Sequence, residues 1–122
     1  MKDKFEDMYR QQAAFLRLLR DKRSHPDFPL DFSKKEDQQF VKHLAHECMN
    51  ELFEMTAHLK NTKRHRATEL TDFDKGEYTE EMVDVLHYLL GIAIYSGISS
   101  DELYEAFMKK GDVNVARIEG AY

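Results

Sequence analysis

The stretch from Val83 to Ile94 leaves a helix almost no polar side. Val83, Val85, Leu86, Tyr88, Leu89, Leu90, Ile92, Ala93 and Ile94 fall at nearly every register around its axis. A helix of that kind is expected to be central and buried, and its need for cover on every side leads to the expectation of a homo-oligomer. The most apolar part, about Val85 to Tyr95, is too short to span a bilayer and is broken by His87. The fold is thereby constrained to helices packed around a central helix.

The remaining segments read as helices too. Phe5, Met8, Tyr9, Phe15, Leu16 and Leu19 recur at near-helical spacing and predict a first helix over about Lys4 to Asp21. Pro26 and Pro29, within Ser24 to Pro29, break it. Ser33-Lys34-Lys35-Glu36 reads as a capping box for a second helix that runs to about Lys60. Its apolar positions are Val41, Leu44, Cys48, Leu52, Met55 and Leu59. A polar, basic connector follows from Asn61 to about Gly76. Asp74 with Glu77, or Thr79, opens the third helix, and Ser96-Gly97 ends it. Ser99-Ser100-Asp101-Glu102 is a further capping-box pattern, opening a fourth helix to Lys110 and onward if it passes Gly111. No strand is expected, and residues 1–122 are read as one all-α, bundle-like domain of four to five helices.

Bulk properties narrow the function. Net charge is -5, against a general nucleic-acid binder, whose affinity rests on a basic surface. With one cysteine, Cys48, no internal disulfide forms; it lies on an apolar face and reads as a small packed hydrophobe. The charged start Met1-Lys2-Asp3-Lys4 carries no apolar run, so no signal peptide is expected. A cytoplasmic setting fits, bacterial or phage-infected cells included, with no membrane or nucleic-acid partner.

Carboxylates supply the chemistry. Glu51-Leu52-Phe53-Glu54 and Glu81-Met82-Val83-Asp84 each put two carboxylates at i and i+3, on one face of a helix. Glu47 lies in the same stripe as Glu51 and Glu54, and His43 and His58 extend it. If the two faces meet, four carboxylates converge. Such a group calls for a positive partner, and a hard divalent cation is the natural one. The alternatives are a solvated acidic face on the second helix and, for Asp84 at the start of the apolar region, an ion pair with lysine or arginine. Asp84 and His87 form one carboxylate-x-x-His pair like those of di-iron bundles, but no second such pair exists. His87 therefore reads as a hydrogen-bonded core residue or one supporting the ligands. Lys110, Asn114 and Arg117 share a face if the last helix continues, and could grip phosphate oxygens. In the basic group Lys60, Lys63, Arg64, His65 and Arg66, one or two members could do the same.

Taken together, these motifs resemble the all-α nucleoside triphosphate pyrophosphohydrolases, which include MazG-type proteins and dimeric dUTPases. Their signature is E-x-x-E on one helix and E-x-x-D on the next. Asn50-Glu51-Leu52-Phe53-Glu54 is similar to the first element and Glu80 to His87 to the second. Lys110 to Arg117 resembles the K-x-x-x-N-x-x-R ending of the dimeric dUTPases, and Gly120-Ala121-Tyr122 is loosely similar to their terminal Gly-Tyr. The likeness covers about Glu36 to the end.

The resemblance implies Mg²⁺, replaceable by Mn²⁺, held by Glu51, Glu54, Glu81 and Asp84. It implies Glu54 as the base that accepts a proton from water. Lys110 and Arg117 would then contact phosphate. By position and spacing Asn114 and Lys63 are further phosphate-binding candidates, and Glu47, His87 and Gln12 are candidates to support the ligands or the nucleotide. Attack at the α-phosphorus would convert a deoxynucleoside triphosphate to monophosphate and pyrophosphate, in control of a nucleotide pool. Gln11 and Gln12 stand near the expected base-binding position, with Phe15 and Leu16 where those dUTPases carry an asparagine. Both dUTP and a purine substrate such as dGTP stay open. A homodimer or homotetramer is implied as well. A non-catalytic helical module that binds nucleotide or a partner is the alternative of a different class.

Overall fold

A computed structural model describes residues 2–60, 62–67 and 72–120. Among them every regular element is helical: α1 (Lys4–Arg23), α2 (Lys35–Thr56), α3 (Lys75–Tyr95) and α4 (Ser100–Ile118). No single helix among the described residues is long and apolar enough to cross a membrane. The chain divides into two compact units, one of residues 1–30 with 93–122 and one of residues 31–92.

In the first unit, Asp3 caps α1 by accepting the Glu6 N–H at 3.0 Å. Glu6 and Asp7 lie in the first turn and Arg20, Lys22 and Arg23 in the last, which suits the helix dipole at both ends. The helix runs past Asp21 to Arg23 because Ser24 turns left-handed (φ 59°), sending its N–H to the Leu19 carbonyl. The chain from Pro26 to Leu30 then straps the end of α3. The Leu30 N–H bonds the Tyr95 carbonyl at 2.8 Å, and Phe28 meets the Tyr95 ring edge-on. The Arg17 guanidinium stacks over Phe28. Gly97 ends α3 at φ 75°, and the Ile98 and Gly97 N–H groups close a Schellman pair onto Ala93 and Ile94. Leu16, Ala93, Ile94 and Tyr95 are buried here together with Gln12. Tyr9 donates to the Ile98 carbonyl and Ser100 to the Glu6 carboxylate, tying α1 to the start of α4. The capping box on α4 forms as expected between Ser99 and Glu102. The helix continues through Gly111 to Ile118.

In the second unit α2 and α3 run antiparallel. His58 meets Glu81, the Cys48 thiol lies 3.7 Å from the Val85 carbonyl, and Glu47 meets Tyr88. Cys48 is buried against α3, in the packing role expected of it. The capping box expected at Ser33 does not form. Asp31, two residues earlier, captures the Ser33 N–H and hydroxyl (3.0 and 2.6 Å), so the N-cap falls to Lys34 with no side-chain bond. The α2 helix ends at Thr56, four residues short of Lys60, where the Thr56 hydroxyl bonds the Phe53 carbonyl. Asp74 caps α3 through the Glu77 N–H. Within the single chain α3 is not covered on every side: Met82, Val83 and Leu89 are exposed, and among the described residues of this unit α2 is the one other helix.

Candidate metal centre

The antiparallel pairing of α2 and α3 joins the two acidic motifs. One carboxylate oxygen from each of Glu51, Glu81 and Asp84 lies within 4.8 Å of the other two. Glu54 adjoins Glu51 from the next turn of α2. Burial, the adjoining Glu54 carboxylate, and the charges of Asp84 and Glu81 together push the Glu51 carboxyl above the ordinary glutamate range. Glu51 thus feels the other three carboxylates of the two motifs.

Among the described residues of 31–92, no lysine or arginine forms an ion pair with any of the four. The basic side chain that meets the group there is His58, whose Nε2 is 3.9 Å from Glu81 Oε1. The ion-pair alternative is therefore not realised within this unit. The donor set, all carboxylate oxygens with a single imidazole at its edge, fits Mg²⁺ or Mn²⁺ in preference to a soft metal.

Two positions differ from expectation. Asp84 is exposed, not buried in the apolar region, because it sits on the flank of the α2-facing side of α3. His87 is exposed as well and is no core residue. The α2-facing side is marked by Glu81, Val85 and Tyr88, and His87 is turned about 100° from Tyr88.

A residue not singled out by sequence completes the surroundings. The Tyr88 hydroxyl donates to Glu47 Oε2 at 2.8 Å, and His43 Nε2 lies 3.0 Å from the other Glu47 oxygen. Burial and the adjoining Glu47 push the Tyr88 phenol up to about 12. Tyr88 was legible only as an apolar α3 residue, yet its place four residues after Asp84 and seven after Glu81 puts it on the carboxylate face.

The other candidates occupy their own elements. Lys63 is exposed in the connector, its carbonyl accepting the Arg66 N–H. Asn61, at the head of that connector, and the terminal Ala121 and Tyr122 lie outside the described residues. In the unit of 1–30 with 93–122, the passage of α4 through Gly111 places Lys110, Asn114 and Arg117 on one exposed helical face. Gln12 is buried there and Gln11 exposed. No protein-family model, no curated protein and no solved structure matches this chain.

Proposed function

We propose that this chain is a Mg²⁺-dependent nucleoside triphosphate pyrophosphohydrolase of the all-α MazG and dimeric dUTPase kind, working as a homodimer or homotetramer. The observation that carries the reading is the junction of Glu51, Glu81 and Asp84, with Glu54 adjoining Glu51. Two motifs 30 residues apart in sequence meet as a single carboxylate group. Glu51, Glu54, Glu81 and Asp84 would hold the metal. Bound there, Mg²⁺ supplies charge neutralisation on the phosphate oxygens. Glu54 accepts the proton of the attacking water, the role that the resemblance gives to the second glutamate of the first motif. Lys110, Asn114, Arg117 and Lys63 bind phosphate oxygens, and Glu47 orients the ligand helix through Tyr88.

The test is a panel of deoxy- and ribonucleoside triphosphates with Mg²⁺ or Mn²⁺, analysed by chromatography and repeated in ¹⁸O-labelled water. Monophosphate carrying the label, with unlabelled pyrophosphate, is the expected outcome. Orthophosphate as first product, or binding of nucleotide without turnover across the whole panel, would overturn it.

A further inference from the structure

The acidic stripe of α2 is one carboxylate longer than the face it meets. Glu47, Glu51 and Glu54 follow one another on α2 at intervals of 4 and 3. On α3 the same face offers Glu81 and Asp84 and then, four residues on, Tyr88. The rungs of the antiparallel pair run in that order. Glu51 joins Glu81 and Asp84, and Glu47, one turn away, meets Tyr88. Neighbours at i, i+4 stand about 5–6 Å apart at Cβ, so a free Glu47 would be drawn toward a cation held by Glu51. Glu47 is instead held at both oxygens. The Tyr88 hydroxyl donates to Oε2 at 2.8 Å, and His43 Nε2 lies 3.0 Å from Oε1.

The two holds are unequal. His43 is exposed, and an ion pair across an exposed helix surface holds weakly. Tyr88 is half-buried, and a hydroxyl bonded to an ionised acceptor is among the stronger hydrogen bonds. Its donor is also dependable. Burial and the carboxylates of Glu47, Glu51 and Asp84 keep the phenol protonated far above neutral pH. A phenol has one proton to give, and Tyr88 gives it to Glu47 and not to a member of the metal group.

Withholding a carboxylate has a chemical use. A near-octahedral Mg²⁺ offers about six positions, and a catalytic ion has to leave some of them to substrate and water. A further carboxylate would take one of those positions and set another negative charge beside the phosphates. We propose that Tyr88 is a positioning residue, whose hydroxyl holds Glu47 off the metal centre and so keeps a coordination position open. The inference rests on the metal reading of Glu51, Glu81 and Asp84.

Titration of the chain with Mn²⁺ tests it, with bound ion counted from the loss of the free-ion EPR signal. The variants form a cycle of Tyr88→Phe, Glu47→Gln and the two together. With the Tyr88 hydroxyl in place, Glu47→Gln should change the Kd for Mn²⁺ by less than about twofold, since Glu47 is then no ligand. In Tyr88→Phe the same substitution should weaken binding about tenfold, because the released carboxylate has become one. Turnover lost in Tyr88→Phe should return in part in the double variant, a rescue that a merely structural tyrosine would not allow. Equal effects of Glu47→Gln in the two backgrounds would overturn the proposal and leave the metal centre standing. A wild-type chain that binds no Mn²⁺ would overturn both, whereas Mn²⁺ binding without turnover of any triphosphate would remove the hydrolase reading alone.

Discussion

Glu51 lies among the carboxylates of Glu54, Asp84 and Glu81, and the group is expected to respond when one member is removed. Glu51→Ala, Glu54→Ala, Glu81→Ala and Asp84→Ala should each cut turnover by about a hundredfold or more. In metal-free buffer, at least one of the four should melt no lower than wild type, because deleting a like charge relieves repulsion worth up to about 1 kcal/mol. With Mg²⁺ the order should invert, since an ion that binds only the folded chain raises its stability. Calorimetry with and without the ion reads both effects. Uniform unfolding of all four variants would make these residues structural instead. Tyr88 gives a second prediction at this scale. Its phenol titrates at about 12 in the folded chain, above the ordinary tyrosine value near 10. The folded state thus binds the proton more tightly than the unfolded one, so this tyrosine favours folding less once the pH climbs beyond about 10. The ultraviolet titration of wild type minus Tyr88→Phe should show a phenolate rising only near pH 12. A difference curve centred near pH 10 would remove Tyr88 from contact with Glu47.

At the scale of elements, helix starts are unequal. Asp3 and Ser99 cap α1 and α4, whereas α2 begins at Lys34 without any side-chain bond. A lysine is the wrong charge for the positive end of a helix. Lys34→Asp should therefore stabilise the chain by about 0.5–1 kcal/mol, and Ser99→Ala should cost about 1 kcal/mol. Urea denaturation checks both, and a destabilised Lys34→Asp would show that the Asp31–Ser33 turn already meets the needs of α2. The same helices show what sequence could and could not convey. The first two helices were legible from apolar spacing, the third from its lack of a polar face and the fourth from the Ser99-Glu102 box, which forms as expected. Ser33 presents the same four-residue signature, but Asp31 reaches its hydroxyl first, and a motif search centred on Ser33 does not weigh that rival. The acidic motifs were visible through their i, i+3 spacing. Tyr88 was hidden because one side chain served as both an apolar surface and a hydrogen-bond donor. The burial of Asp84 was overestimated because apolar composition says how much surface wants cover and not whether one chain has enough to provide it.

For the molecule as a whole, the proposed reaction asks cationic side chains to do what a glycine-rich phosphate loop does elsewhere, for no such loop occurs in this sequence. With a net charge of -5, the chain repels a triphosphate at long range, and binding must come from the metal and from a few positioned cations. Lys110 and Arg117 are the cations whose spacing along α4 suits that task. Phosphate charge is present in bound substrate and redistributed in the transition state, so loss of either cation should affect both binding and turnover. Lys110→Ala and Arg117→Ala should raise KM and lower kcat together, with kcat/KM falling by about tenfold to a hundredfold. Arg117→Lys should recover only part of the loss, because an ammonium keeps the charge and gives up the planar pair of donors. The metal dependence gives the control. In these variants the Mg²⁺ concentration for half-maximal melting shift should match wild type, since the proposed role of the two cations is at phosphate and not at the metal. A changed metal midpoint, or full activity in Arg117→Ala, would take α4 out of the phosphate contacts and leave the carboxylate group as the sole anchor of the reading.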